Sequence, residues 1–206
     1  MTDSNFYIET PRLYISHYQP SNDAHCDFKV VLYNQPELIK GQHRNASAFP
    51  DRTSARAFIL ETQDEQARSG YGRFLVSLKP SSVNPNKLFS EIQSECEMVG
   101  QVSLKFAQGP YAYTAPDVGY GFLSKYWGNG YATEASAALL KYFEEEKGVK
   151  EVFGFCNANN EGSMGVLRRL GFQQRGVMDL KPYGVHGMVW VKPGMSEDLS
   201  VYGLTG

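Results

Sequence analysis

Two glycines, Gly128 and Gly130, stand where a strand-like stretch gives way to a helix-like one. Val118, Tyr120 and Phe122 alternate with smaller residues before them, and apolar residues recur at helical spacing after them. The first turn of a helix has backbone N–H groups without an internal partner and the positive end of the helix dipole, so a phosphate placed there finds donors. A side chain at either glycine would hold phosphates away from those donors. The spacing therefore predicts a pyrophosphate cradle.

The elements that must position this turn alternate between β and α along the chain. They show no internal repeat and no second composition regime, so one domain over residues 1–206 is the simplest interpretation. The polar connection 80–97 is long for a hairpin, so disorder or a species-specific excursion is expected there, and the tail 193–206 is expected to be weakly ordered. The predicted strands cover about 6–18 (broken at Pro11), 74–78, 98–106, 118–122, 151–156, 171–177 and 188–191, and the predicted helices about 22–34, 51–70, 130–147 and 163–170.

Composition limits the classes of function. The apolar fraction of 42%, the charged fraction of 20% and the aromatic fraction of 13% are typical of a globular protein with a sizeable core. The net charge is −2, and Lys and Arg are scattered rather than clustered. We therefore expect no direct binding of nucleic acid.

The cellular setting is predicted from what the chain lacks. The first residues show no basic segment followed by an apolar run, and no apolar stretch is long enough to span a bilayer, so neither secretion nor membrane insertion is expected. Cys26, Cys96 and Cys156 are odd in number and far apart, which favours reduced thiols over a disulfide framework or a zinc site. A cytoplasmic protein without a metal is expected.

Three spaced motifs resemble the GNAT superfamily of acyl-CoA-dependent N-acetyltransferases, and within it the RimJ/RimL-like branch. They are DVGY at 117–120, YWGNGYATEA at 126–135, and the run from 157 to 172 that carries NANN, Ser163 and LGF. The likeness covers about 7–192, apart from the 80–97 insertion and the tail. It implies an α/β fold (α+β mixed sheet), with a central twisted, mostly antiparallel sheet of about six or seven strands flanked by about four helices.

The resemblance also implies a cosubstrate, acetyl-CoA, and the residues that bind it. The superfamily's pyrophosphate motif falls on Trp127, Gly130 and Ala132, and Trp127 departs from the Gln or Arg that the wider superfamily has there. Asn160 and Ser163 match positions near the sulfur of the cofactor. By resemblance, the pantetheine arm is bound by Phe122 and Leu123, and the pyrophosphate by Gly128, Asn129, Gly130, Tyr131, Ala132 and Thr133.

Acetyl transfer to an amine needs a neutral amine, stabilisation of the oxyanion, and a proton for the departing thiolate. Asp117 is the candidate general base, directly or through water, although an ordinary strand-end acid is an equal alternative. Many relatives place a tyrosine acid seven residues after the motif asparagine, but here that residue is Leu167. Ser163, a nearby tyrosine or water would have to supply the proton, and Ser163 could equally cap the helix that follows.

The predicted activity is direct attack, in a ternary complex, by a primary amine of a small molecule or a protein N-terminus. A non-catalytic acyl-CoA-binding protein is the alternative. A Rossmann dehydrogenase is disfavoured, because the third glycine of its motif would be Thr133 and the repeated βαβ units are missing. Tyr111, Tyr113 and Tyr183 are candidates for the acceptor pocket, and monomer or homodimer stays open.

Overall fold

A computed structural model describes residues 2–41, 49–82 and 86–205 of the protein. Within these residues one sheet has eight strands in the order β1-β2-β3-β4-β5-β6-β8-β7. Neighbouring strands of the sheet are antiparallel, except β5 and β6, which run parallel. The strands are β1 (Tyr7–Glu9), β2 (Leu13–His17), β3 (Gly72–Leu78), β4 (Glu97–Lys105), β5 (Asp117–Phe122), β6 (Phe153–Cys156), β7 (Gln173–Leu180) and β8 (Val185–Val191), and the α-helices are α1 (Asp23–Asn34), α2 (Pro36–Gly41), α3 (Arg52–Ser69), α4 (Phe89–Ile92), α5 (Tyr131–Lys147) and α6 (Glu161–Arg169).

The mixed, mostly antiparallel sheet confirms the predicted fold class, with eight strands in place of six or seven. The additional strand arises at Pro11, which lies in the turn between β1 and β2. Proline has no N–H and a fixed φ, which suits a turn and not a continuous strand. Thr10 closes this turn, since its N–H donates to the Leu13 carbonyl at 3.0 Å and its hydroxyl oxygen accepts from the Leu13 N–H at 2.8 Å.

One face of the sheet is covered by α5 and α6. The apolar residues of both helices and of the strands beneath them form the largest core cluster. Leu139, Phe143 and Leu167 are almost completely buried in it, and burying a side chain of this size contributes about 1.5–3 kcal/mol. This packing fixes the first turn of α5 beside the end of β5.

The opposite face is covered in two separate parts. The helices α1 and α3 pack over β2 to β4, where Leu32 and Ile59 are buried. The segment after β8 packs over β6 and β8. Between the two lies β5, and because Val118 and Phe122 belong to the α5 face, strand alternation places Asp117, Gly119 and Gly121 on this one.

Of the two alternatives for the 80–97 connection, disorder was wrong for its second half. Residues 83–85 lie outside the described residues, but α4 forms at Phe89–Ile92 and buries both of its apolar residues. The Phe89 ring meets Tyr14 edge-on, with ring centroids 5.3 Å apart. The segment is polar on average, yet two apolar residues three apart suffice to make one buried helical face.

The expectation for the tail was also wrong. Met195, Leu199, Tyr202 and Leu204 are buried against the β6 and β8 side of the sheet. The Tyr202 hydroxyl donates to Glu151 at 2.8 Å. The apolar residues follow no simple period, because a 3-10 turn over Leu199–Tyr202 interrupts an extended path.

The hairpin of β7 and β8 is longer than predicted. β7 continues to Leu180 and β8 begins at Val185, with a 3-10 turn over Lys181–Tyr183 between them. In this extension the polar residues Asp179 and His186 are paired across the two strands. Because they are polar, the sequence pattern did not predict a strand there. The longer hairpin places Tyr183 beside the start of β5.

Candidate active site

The parallel strands β5 and β6 separate soon after they meet. Only two registered pairs join them, Asp117 with Phe153 and Val118 with Gly154. Beyond these pairs, residues 119–122 are registered with β4 alone. We call the opening between 119–122 and the end of β6 the seam. An extended ligand lying in the seam would find strand edges with unpaired backbone groups.

The glycine turn lies beyond the end of β5 and opens α5. Gly128 and Gly130 have φ values of +80° and +79°, a conformation that residues with a Cβ seldom adopt. A Cβ at Gly128 would meet nothing within 4 Å, and one at Gly130 would meet only Arg12 Nη2, at 3.6 Å. Among the described residues no side chain caps the N-terminus of α5. Its first N–H groups therefore have no side-chain acceptor there, as the predicted cradle (residues 128–133) requires.

The cradle is held by the turn between β1 and β2. Arg12 donates to the Asn129 carbonyl at 3.0 Å and forms an ion pair with Glu134 at 2.6 Å. Thr10 donates to the same carboxylate at 2.7 Å. Burial alone would raise the pKa of the Glu134 carboxyl, but the hydrogen bonds from Thr10 and Arg12 outweigh it and hold this pKa below its usual value. Glu134 thus fixes the first turn of α5.

The remaining cradle residues contact their surroundings in different ways. Tyr131 lies under the Arg12 guanidinium, whose central carbon is 4.6 Å from the ring centroid. Ala132 packs against the main core. The Thr133 hydroxyl accepts from Arg169 Nε at 3.2 Å, which brings a cation from α6 to the first turn of α5.

Phe122 and Leu123 lie at the outer end of the seam. The Phe122 side chain is buried in the core, and its carbonyl already accepts from Trp127 Nε1 at 2.9 Å and Gln35 Nε2 at 3.1 Å. The Leu123 N–H donates to the Val99 carbonyl at 3.0 Å, while its side chain is partly exposed. Leu123 therefore offers apolar surface to the seam more readily than Phe122 does.

Asn160, and not Ser163, caps α6. The Asn160 side chain accepts from the Ser163 N–H at 2.9 Å, so the alternative of Ser163 as the cap was wrong. The Ser163 carbonyl accepts from the Tyr120 hydroxyl at 2.8 Å, which joins the start of α6 to β5 across the seam. Burial raises the pKa of Tyr120 well above its usual value. The Ser163 hydroxyl itself is free of any capping role.

Asp117 lies at the inner end of the seam, in the pair that still joins β5 to β6. It is only 8% exposed, and its carboxylate lies 3.2 Å from Lys105 Nζ and accepts a short hydrogen bond from the Tyr183 hydroxyl. Burial of the hydroxyl, and then the Asp117 charge, raise the pKa of Tyr183 well above its usual value. Burial raises the pKa of Tyr113 to about 12, with smaller effects of Asp179 and Asp117.

The sequence named Asp117, Tyr113 and Tyr183 separately, and the structure brings them together. Tyr111, the third predicted pocket tyrosine, is instead 60% exposed. Lys105 was missed. Its pairing with Asp117 depends on the register between β4 and β5, which the 11-residue loop from 106 to 116 does not reveal.

Gly119 and Gly121 leave a strip of bare backbone on the sheet face that bears Asp117, and Ser103 already fills the space beside Gly119. A Cβ at Gly119 would lie 2.7 Å from Ser103 Oγ, and one at Gly121 would face Leu38 at 3.8 Å. We call this strip, between the α1/α3 cluster and the C-terminal segment, the groove. Two glycines at alternate positions of one strand indicate such a strip without side chains in the sequence, and this indication was missed.

Three further findings concern other classes of site. In the described parts of the chain no group of three or more His, Cys, Asp and Glu residues could hold a metal ion. Among the same residues no helix has both the length and the apolar character needed to cross a membrane. Cys26, Cys96 and Cys156 are free thiols.

A family model described as an acetyltransferase (GNAT) domain matches residues 12–173. The chain belongs to the GNAT acetyltransferase family. The protein YkkB of Bacillus subtilis strain 168, which is uncharacterised, is 27% identical over 141 residues, 68% of this chain and 71% of that protein.

Two solved structures show the same fold. The ribosomal-protein-S5-alanine acetyltransferase of Vibrio fischeri superposes with a TM-score of 0.68 at 17% identity, over 94% of this chain and 98% of that one. RimL, a ribosomal L7/L12 alpha-N-protein acetyltransferase in complex with coenzyme A, superposes with a TM-score of 0.62 at 16% identity, over 91% and 97%. The family model confirms the predicted GNAT resemblance, and the two superpositions show the same fold.

Proposed function

We propose that this protein transfers an acetyl group from acetyl-CoA to the primary amine of a small molecule or a protein N-terminus, by direct attack in a ternary complex. One observation carries the proposal: the seam runs from the open N-terminus of α5 at one end to the buried Asp117 at the other. Membership of an acetyltransferase family supports it.

The residues along this line fit such a cosubstrate. The N–H groups of the cradle suit a pyrophosphate, and Leu123 with the backbone of the seam suits an extended pantetheine arm. The Phe122 carbonyl already accepts from Trp127 and Gln35, so its N–H is the group proposed to contribute, and Asn160 and Ser163 border the seam from α6. When bound, acetyl-CoA supplies an acetyl group that is already activated as a thioester.

Few side chains are then needed for the chemistry, because holding two reactants side by side supplies much of the barrier reduction. Asp117 accepts a proton from the attacking amine, directly or through water, and Tyr183 and Lys105 hold its carboxylate in place. The Ser163 hydroxyl, which is not needed as a cap, is the candidate donor to the departing thiolate, with water as the alternative.

The alternative function, a non-catalytic acyl-CoA-binding protein, rests on Leu167. This residue replaces the tyrosine that many relatives have, and it is 1% exposed in the main core. The position therefore cannot supply a proton. A binder would take up acetyl-CoA without releasing free thiol in the presence of any amine.

The test combines turnover with binding. We expect free thiol to be released from acetyl-CoA in the presence of at least one class in a panel of amines and N-terminal peptides. Gly130→Val should raise the Kd of acetyl-CoA about tenfold or more, which corresponds to about 1.4 kcal/mol. Gly148→Val is the matched control, because Gly148 also has a positive φ (+68°) but lies at the other end of α5. Equal Kd values for the two variants would exclude the cradle.

The cellular setting and the oligomeric state stay proposals. Three free thiols suit a reducing compartment such as the cytoplasm. Light scattering of the purified protein distinguishes a monomer from a homodimer.

A further inference from the structure

The groove carries a cation that the proposed chemistry does not use. Arg73 is the second residue of β3, registered with Ser103, which is itself registered with Gly119 of β5. Residues opposite one another in adjacent strands point to the same face of a sheet. The Arg73 side chain therefore leaves the sheet on the face that bears Gly119 and Asp117.

Arg73 has no counter-ion. In the described part of the chain no carboxylate oxygen lies within 4.0 Å of its guanidinium, although the side chain is only partly exposed. Its central carbon lies 5.0 Å from the centroid of the Phe58 ring. A partly buried guanidinium without an anion is costly, and its planar fork of donors matches the oxygens of a carboxylate or a phosphate.

Lys29 lies on the same side of the groove, and its Nζ lies 5.4 Å from the centroid of the Phe58 ring that Arg73 also approaches. It is 1% exposed, and its Nζ donates to Gln101 Oε1 at 3.3 Å and lies 4.0 Å from the centroid of the Tyr18 ring. Burial, and then the nearby Arg73, lower the pKa of Lys29 to about 7. Among the described residues no carboxylate lies within 4.0 Å of Lys29 Nζ either.

The charge of Arg73 reaches the other end of the groove as well. Burial dominates the pKa of Tyr183 and raises it, while Arg73 acts in the opposite direction. By strand register Arg73 lies on the same face of the sheet as Asp117, which accepts from the Tyr183 hydroxyl. On that face the Asp117 charge is matched by Lys105, at 3.2 Å, whereas no carboxylate among the described residues matches the charge of Arg73.

On the basis of the acetyl transfer proposed above, we propose that the acceptor is a compact acidic amine, in which an anionic group lies close to the amine that is acetylated. Arg73 binds the anion, a carboxylate or a phosphate, while the amine lies at Asp117. Two strand spacings and two residues along the sheet separate the Cα atoms of Arg73 and Asp117, roughly 12 Å. A guanidinium turned toward Asp117 would leave only a few bonds between the anion and the amine.

The first experiment compares matched acceptors. Alkylamines, amino carboxylates and aminoalkyl phosphates of equal chain length, and peptides with Asp or Asn after the N-terminal residue, are assayed by thiol release. We expect the KM of the acidic acceptors to be at least tenfold below that of their neutral counterparts. The carboxylate and phosphate series show which anion the site takes. Equal KM values for acidic and neutral acceptors would overturn the inference and leave acetyl transfer standing.

The second experiment uses variants of the cation. Arg73→Gln should raise the KM of acidic acceptors about 10- to 100-fold, without changing the KM of neutral amines or the Kd of acetyl-CoA. Arg73→Lys should recover part of the loss and covers the case in which Arg73→Gln does not fold. Arg68→Gln, an exposed arginine of α3, makes the same change in net charge and should have no effect. An unchanged KM in both Arg73 variants would overturn the inference.

A binding measurement separates this inference from the proposed function. The acidic and neutral amines are titrated into the protein saturated with coenzyme A, with and without Arg73→Gln. If no amine releases thiol, the proposed acetyl transfer fails. Tight binding of the acidic amines that depends on Arg73 would still support an anion site in the groove, and no such binding would overturn it.

Discussion

At the scale of single residues, the surroundings of Asp117 decide how its carboxylate can act. Lys105 supplies a charge at 3.2 Å and Tyr183 supplies a hydrogen-bond donor, and both restrict where the carboxylate points. Its 8% exposure and these two contacts fit the proposed general base, and they also fit an ordinary strand-end acid that forms a structural ion pair. Both interpretations of Asp117 therefore stand until they are tested.

Replacing either partner of this hydrogen bond should slow turnover without affecting the cosubstrate. Asp117→Asn is expected to lower kcat about 10²- to 10⁴-fold, because it removes the proposed general base. Tyr183→Phe should lower kcat by a smaller factor, since Asp117 and Lys105 remain. Steady-state kinetics and titration with acetyl-CoA measure both. Tyr7→Phe, on the outer strand β1, is the control. If Tyr183→Phe is as active as this control, Tyr183 contributes to packing and not to catalysis.

The sequence could identify these residues but not their contact. Asp117 and Tyr183 are 66 residues apart, and they meet because the β7–β8 hairpin continues to Leu180 before it turns. The extension is polar, so alternation did not reveal it. Arg73 was missed for a related reason, since only the register of β3 with β4 shows that it faces the groove.

At the scale of elements, two residues at the start of α6 have different roles. Asn160 caps the helix, and Ser163 is the proposed proton donor. Asn160→Ala should lower the free energy of unfolding by about 1 kcal/mol, because it removes the cap of the helix. Ser163→Ala should leave the unfolding free energy almost unchanged and lower kcat instead. Urea unfolding and thiol release, measured on both variants, test this. If Ser163→Ala alters neither turnover nor the affinity for acetyl-CoA, Ser163 is not an active-site residue.

The hydrogen bonds of Glu134 at the start of α5 predict how the stability of the protein depends on pH. The folded-state pKa of Glu134 is below its usual value, so its contribution to stability is present above the unfolded-state pKa of about 4.3 and is lost as the pH falls through the folded-state pKa. Glu134→Gln should therefore cost about 1–3 kcal/mol at pH 7 and progressively less below about pH 4. Urea unfolding across this range measures the difference, with the exposed Glu146→Gln of the same helix as control. A difference that is independent of pH would contradict the role given to the Thr10 and Arg12 hydrogen bonds.

Elements with strong local signals were predicted well. Gly130 and Gly148 delimit α5 as the sequence indicated, because glycine at both ends adopts the left-handed conformation. The segments judged weakly ordered were misjudged because their apolar residues are few. Phe89 and Leu204 are buried by partners distant in sequence, and a local pattern does not contain those partners.

At the scale of the whole molecule, the C-terminal segment completes one side of the groove face. Leu204→Ala should lower the free energy of unfolding by about 2–4 kcal/mol, because it leaves a cavity beneath the segment. Val201→Ala, in the same segment but 59% exposed, should change it by less than about 0.5 kcal/mol. Thermal and urea unfolding measure both. Similar small effects of the two substitutions would mean that the segment is not part of the core.

The two registered pairs between β5 and β6 also divide the sheet mechanically. On one side lie five strands with α1 to α3, and on the other lie three strands with the C-terminal segment. The two portions are joined by these two pairs and by the main core cluster beneath α5 and α6, which contains residues of both portions. A cosubstrate bound in the seam would contact both portions of the sheet. Its binding should therefore raise the force needed to separate them, in addition to its part in catalysis.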